Sequence, residues 1–210
     1  MAGSGARVLQ LRAVEFGRNH GVSIHVRSTF SDADGTWIRE DAGMEDAIIS
    51  GITHTTDEAY VTLTDVPDHP GTAASIFNAV AAANINVDTI IQNAVTHGDA
   101  DITFSVPMDD LGLMRDTIQG LCDDLGLHWR VDSSAAKVSM IGAGMKSHPG
   151  VAARMFQVLA DRGINVRMIA TSPIKVSCVI DATRVGEAVE ALHGAFQAEL
   201  QIAADGAVGV

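Results

Sequence analysis

The 210-residue chain carries 14 basic against 26 acidic residues, a net charge of −12, with 47% hydrophobic and 4% aromatic residues. That balance argues against nucleic acid and anionic membrane surfaces as partners, because both require clustered Lys and Arg. No apolar run approaches the ~18 residues of a membrane span and the start lacks a basic-then-apolar signal, so the sequence reads as a soluble, cytoplasmic protein.

In chain order, ARVLQLRAVEFGRNHG predicts a helix and VSIHVRS a strand, followed by the polar turn FSDADG. This helix–strand pair, with no partners of its own, reads as the tail of a larger domain. MEDAIISGITHTTD has strand character from Ala47, Ile49 and Ile52. Ala59, Val61 and Leu63 then alternate as in a half-buried strand. After PDHPG, the apolar residues Ala73, Ile76, Phe77, Val80 and Ala81 fall on one helical face, which Asn84 closes. INVDTIIQNAV predicts a strand, THGDAD a turn and ITFSV a strand with Ile102, Phe104 and Val106 on one face. Leu111, Met114, Ile118 and Leu121 predict a helix and HWRVD a short strand.

The order then recurs. HPGTAASIFNAVAAANINVDTII at His69–Ile91 returns 79 residues later as HPGVAARMFQVLADRGINVRMIA at His148–Ala170. Around it lie a strand with Ala136, Val138 and Met140, the turn GAGMKSHPG, a helix with Ala152, Met155, Phe156, Leu159 and Ala160, and the strand INVRMIATS. IKVSCVID follows with Ile174, Val176, Cys178 and Ile180 on one face, then a helix with Val185, Ala188, Val189, Leu192 and Phe196, and a last strand LQIA. Two copies of β-α-β-β-α-β predict an α+β protein of two ferredoxin-like units in tandem, each of roughly 70–80 residues. Cys122 and Cys178 sit in apolar segments without CxxC spacing and read as buried free thiols.

Both copies keep His, Pro, Gly and Asn as well as apolar residues, which packing alone does not require. Pro-Gly at the head of each first helix suits a carboxylate, since the first-turn N–H groups are unpaired and lie at the positive end of the helix dipole. Gly71 and Gly150 allow close approach, and the INVD strand, expected beside that helix start, offers Asn86 and Asp88 to an ammonium. Asn86 and Asn165 serve equally well as turn residues shaping the helix-to-strand connection. His69 and His148 lack His or Cys partners at ligand spacing, and Asp99 and Asp101 lack the 12-residue calcium pattern, so no metal site is expected. No paired carboxylates or nucleophile motif support catalysis.

GARVLQLRAVEFGRNHGVSIHVRSTFSDADGTWI resembles the end of the catalytic region of aspartate kinases. VPDHPGTAASIFNAVAAANINVDTIIQN, DITFSV and KVSMIGAGMKSHPGVAARMFQVLADRGINVRMIATSPIKVSC resemble that family's paired ACT domains, and the resemblance runs from Met1 to about Phe196. It implies residues 1–43 as a catalytic-domain tail and linker, 44–134 as a first ACT domain and 135–210 as a second with a short C-terminal tail. The strand near 47–56 is free to pair with the second. A phosphate loop of the KFGGTS type is absent from the sequence. The resemblance therefore implies a regulatory subunit from an internal start, or a C-terminal fragment. No cofactor belongs to this chain, ATP and Mg being confined to the catalytic domain.

The resemblance further implies an effector amino acid between ACT units, contacting Asp68, Gly71, Ala73, Asn86, Asp88 and Gln92 from the first copy and Ala152, Asn165, Val166 and Ser172 from the second. The implied partners are a second copy of the chain, joined through its ACT domains, and the catalytic subunit. Where the family commonly reads TSEI this chain reads TSPI, and the loop after Gln92–Asn93 is shorter and differs in residues. Pro173 removes a carboxylate that a lysine effector would use, which favours threonine, or a changed specificity, over lysine alone. The alternative is a ligand-free ACT module that only dimerises.

Overall fold

A computed structural model of the chain describes residues 1–6, 8–39, 49–94, 98–142, 150–198 and 200. The helices are α1 (Leu11–Asn19), α2 (Thr72–Ala82), α3 (Leu111–Leu125), α4 (Val151–Asp161) and α5 (Val185–Ala195). The strands are β1 (Ile24–Val26), β2 (Thr36–Ile38), β3 (Gly51–Thr55), β4 (Glu58–Pro67), β5 (Ile90–Ala94), β6 (Asp99–Pro107), β7 (His128–Asp132), β8 (Ala135–Ile141), β9 (Met168–Ser172) and β10 (Lys175–Asp181). They form one two-stranded and two four-stranded sheets, ordered β1-β2, β5-β6-β4-β7 and β3-β8-β10-β9. The chain divides into two compact units, one comprising Met1–Thr55, Val138–Cys178 and residues from Arg184 onward, the other Thr56–Lys137 and Val179–Thr183.

The expected β-α-β-β-α-β order holds for β4 to β7, with β4 central and paired antiparallel to both β6 and β7. Ala59, Val61 and Leu63 alternate into the core as expected. Two residues rather than one then separate Leu63 from the next core residue, Val66, because β4 bulges between them. Asp65, at φ 60°, takes up the extra residue. Without the bulge, strict alternation would turn the Asp65 carboxylate toward the core in place of Val66. Strand β6 begins at Asp99, three residues ahead of the expected ITFSV segment, because Asp99 and Ala100 pair with Pro67 and Val66.

α2 buries Ile76 and Val80 on this sheet, with Ala73, Phe77 and Ala83 half-buried beside them. Ala81, expected on the same face, is exposed. α3 buries Met114, Ile118 and Cys122, each fully buried aliphatic side chain contributing about 1.5–3 kcal/mol. On the opposite face of the sheet Tyr60, Thr62 and Ser105 are buried. There Thr62 and Thr103 hydroxyls lie 3.1 Å apart and satisfy one another.

In the second copy β8, α4, β9, β10 and α5 follow the expected order, but the sheet position beside β8 is held by β3. LQIA, expected to be a final strand, lies outside the described residues except for Leu200, which is helical. Gly51 and Thr53 form the buried face of β3, with Ile49 buried just ahead of it, while Ile52 points the other way and Ala47 lies outside the described residues. Burial pushes the Cys178 thiol up to about 12 and raises that of Cys122, and both cysteines are free.

The N-terminal strand is not without a partner: β1 pairs antiparallel with β2, with Ile24 opposite Ile38 and Val26 opposite Thr36. His25 stacks on Trp37 at 4.0 Å, and its Nε2 lies 2.7 Å from the Asp34 carbonyl. The expected helix before it shortens to α1, preceded by a single 3-10 turn at Ala2–Ser4.

The first helix of each copy ends in the same way. Ile85 N–H donates to the Val80 carbonyl and Ile164 N–H to that of Leu159, while the preceding residues, Asn84 and Gly163, adopt φ 56° and 63°. Asn is the non-glycine residue best suited to this left-handed cap. Asn84→Ala is expected to cost about 1–2 kcal/mol, read as a lower urea midpoint at unchanged slope, with Asn84→Gly preserving the midpoint.

Candidate functional site

The two Pro-Gly openings are built alike. Gly71 caps α2 at φ 106°, ψ −22°, and Gly150 caps α4 at φ 102°, ψ −16°. A β-carbon at either position would meet no atom within 4 Å among the described residues, so it is the backbone angle that selects glycine. At α2 the Thr72 N–H donates to the His69 carbonyl and the Ser75 N–H to that of Gly71. The His69 Nδ1 and Thr72 hydroxyl, 2.8 Å apart, tie the turn to the helix. Pro149 and His148 lie outside the described residues.

Asp68 is exposed, its N–H donates to the Gly98 carbonyl, and its carboxylate accepts from Gln92 Nε2 at 3.4 Å. Gln92 thus brings the middle of β5 to the start of α2, and Ala73, half-buried, lies in that helix's first turn. Asp68, Gly71, Ala73 and Gln92 form one cluster.

Asn86 and Asp88 are elsewhere. The INVD segment was expected beside the start of α2, but it directly follows Asn84 at the helix's end, about 16 Å away for 11 residues. Register agrees: Gln92 pairs with Ile102, whereas Asp88 N–H donates to the Ser105 carbonyl near the opposite end of β6. Four extended residues separate Asp88 from Gln92, roughly 13 Å. Residues 85–89 are irregular, so β5 starts only at Ile90.

Asp88 meets a different set of groups. Its Oδ2 lies 2.5 Å from Lys137 Nζ, which also donates to Glu58 Oε1 at 2.6 Å. Lys137 is 3% exposed, and Tyr60 donates to the other Glu58 oxygen at 3.4 Å. Burial alone would lower the Lys137 pKa, but hydrogen bonds and charge from Asp88 and Glu58 outweigh it and the net shift is upward. Desolvation, then Glu58, raises that of Tyr60. Lys137 is not among the residues expected from the sequence. The signal was a lone Lys inside the apolar run AAKVSMI.

The second copy divides in the same manner. Ala152, half-buried, is in the first turn of α4, while Asn165 and Val166 follow its end. Ser172 lies at the far end of β9, where its Oγ accepts from the Ile174 N–H at 3.4 Å in the two-residue turn to β10. Pro173, first in that turn, is suited to it by its fixed φ. A concave pocket lies apart from all ten residues, lined by Val14, Gly17, Ile24, Ile38 and Arg39. No group of three or more metal-ligating side chains occurs among the described residues. None of the helices there is long and apolar enough to cross a membrane.

Residues 60–122 and 138–196 each match the ACT domain family. The aspartokinase of Mycolicibacterium smegmatis is 45% identical over 93% of this chain, which spans 48% of that relative's length. The crystal structure of aspartokinase alpha and beta subunits matches at 43% identity and TM-score 0.66, covering 71% of this chain and 99% of that one. The ligand-free regulatory subunit of aspartate kinase from Thermus thermophilus matches at 35% identity and TM-score 0.68, again over 71% of this chain and 99% of its own. The chain belongs to the aspartate kinase family, as its regulatory part with two ACT domains.

Proposed function

We propose that this chain binds an end-product amino acid of the aspartate pathway, threonine in preference to lysine, in clefts between ACT domains of two chains, and so mediates feedback inhibition of aspartate kinase. It performs no phosphotransfer alone and acts on a catalytic subunit or domain. The observation that carries the reading is the matched pair of glycine caps, Gly71 and Gly150, each opening a helix in the same left-handed conformation. Unpaired N–H groups at such a start receive a carboxylate.

The placement of the ten residues supports two clefts. β5 and β9 are edge strands, and the repeat-equivalent Ile90 and Ile169 are 53% and 47% exposed on them. Apolar edges of this kind invite pairing with a second copy. If β5 of one chain runs antiparallel to β9 of another, the end of one strand meets the beginning of the other. Asp68, Gly71, Ala73 and Gln92 then face Asn165 and Val166 of the second chain, while Ala152 and Ser172 face Asn86 and Asp88. A carboxylate takes the helix start and an ammonium the Asn-bearing segment.

Threonine and lysine are titrated separately into the chain, with heat and melting temperature recorded. Threonine is expected to raise the melting temperature, by an amount equivalent to about 2.7 kcal/mol at a hundredfold excess over Kd, with a smaller response to lysine. Neither heat nor a shift with either amino acid would reject the effector reading and leave a dimerisation module.

A further inference from the structure

We propose that Lys137 is a positioning residue for the effector cleft, tying Asp88 to Glu58 and so fixing the segment that presents Asn86. This rests on the function proposed above.

The segment from Ile85 to Thr89 belongs to neither α2 nor β5. At its start Ile85 is 5% exposed and its N–H donates to the Val80 carbonyl. At its far end the Asp88 N–H donates to the Ser105 carbonyl, and the Thr89 N–H donates to the Ser105 hydroxyl at 3.1 Å. Side-chain anchors are Val87, half-buried against the core, and the Asp88 carboxylate, held at 2.5 Å by the Lys137 ammonium. Asn86 stands exposed between these anchors. A segment without regular structure pays conformational entropy when it orders around a ligand, and a tie formed beforehand removes that cost.

Lys137 is suited to this role by its surroundings. It is buried, whereas Asp88 keeps 55% of its side chain exposed, so the lysine approaches from beneath and leaves the outer side of the segment open. Glu58, 18% exposed, takes a second hydrogen bond of the ammonium and is itself held by Tyr60. A buried charge satisfied in this way is costly to leave unpaired, so the geometry is held tightly. The repeat accounts for the asymmetry between the copies: Arg167 stands in the second copy where Asp88 stands in the first, so this carboxylate–lysine tie belongs to the Asn86 segment.

The test uses the whole chain with Lys137→Met, Lys137→Arg, Asp88→Asn and the Lys137→Met/Asp88→Asn double variant. Binding of threonine and lysine is measured by calorimetry, and amide hydrogen exchange is followed at Asp88 and Thr89. Lys137→Met is expected to weaken binding about tenfold and to speed exchange at both amides about tenfold relative to amides of β6. Lys137→Arg should restore both, and the double variant should exchange at Asp88 and Thr89 no faster than Lys137→Met, because both changes break one tie. Asp88→Asn breaks the same tie from its exposed side, so amide exchange tests the tie even if Lys137→Met does not fold. Unchanged exchange in Asp88→Asn and in any folded Lys137→Met overturns the tie, whatever the effector does. Faster exchange with undiminished binding overturns the positioning role while the proposed function stands. A wild-type chain that binds neither amino acid overturns the function and this role together.

Discussion

Replacing Phe104 with alanine is expected to cost about 3–5 kcal/mol of unfolding free energy. Phe104 is fully buried in β6 and meets Phe77 edge-on, with ring centroids 5.5 Å apart at 70°. It stands opposite Val61 on one neighbouring strand and Ile90 on the other, so β6 is hydrogen-bonded on both sides. A strand held in this way cannot move in to fill the void, which places the loss toward the upper part of the range. Urea unfolding at unchanged slope measures it. Leu113, 51% exposed on α3, is the control, and Leu113→Ala should stay within about 0.5 kcal/mol of the parent. A loss below about 1 kcal/mol at Phe104 would mean that this core tolerates cavities.

Phe104 was legible as a core residue because Ile102, Phe104 and Val106 alternate, and alternation is a local signal. The helix stripes were legible for the same reason, although Ala81 showed that a small residue at the stripe's margin carries too little area to be drawn inward. Less could be read where one segment depends on a distant one. β3 fills the edge beside β8 although β4 to β7 intervene in the chain; nothing in GITHT itself names that neighbour, and only the family resemblance left that pairing open. The Asp65 bulge depends on β6 being present to count residues against. The candidate contacts were legible as residue types but not as a single cluster. Helix length and strand register send Asn86 and Gln92 to opposite ends of one unit, and sequence proximity hides this. Lys137 was the hardest to find, because a lysine in an apolar run has meaning only once its two carboxylates are in place.

That separation of Gln92 from the Asn-bearing segments yields the prediction with the largest effect on binding. On the proposed arrangement one cleft takes Gln92 from one chain and Asn165 from its partner. Gln92→Ala and Asn165→Ala should each weaken threonine binding at this cleft by about 1.5–3 kcal/mol, some 10–100-fold, because each removes a hydrogen bond to a charged ligand group. Mixing the two defective variants should then restore binding. In a mixed dimer one cleft carries both substitutions, and the other combines an intact Gln92 with an intact Asn165. Random exchange of chains makes about half of the dimers mixed, so about a quarter of these clefts regain parental affinity, read by calorimetry as a recovered high-affinity fraction. A chain carrying both substitutions, mixed with the parent, has no such rescue: each mixed dimer then holds one substituted residue in each of these clefts. If Gln92 and Asn165 instead served one cleft within a single chain, the mixture of single variants would recover nothing and the double variant mixed with parent would retain half. A shared cleft leaves about a quarter of these clefts at parental affinity in either mixture, and a single-chain cleft leaves none in one and half in the other, so a single pair of titrations distinguishes a cleft shared between chains from one contained in a chain.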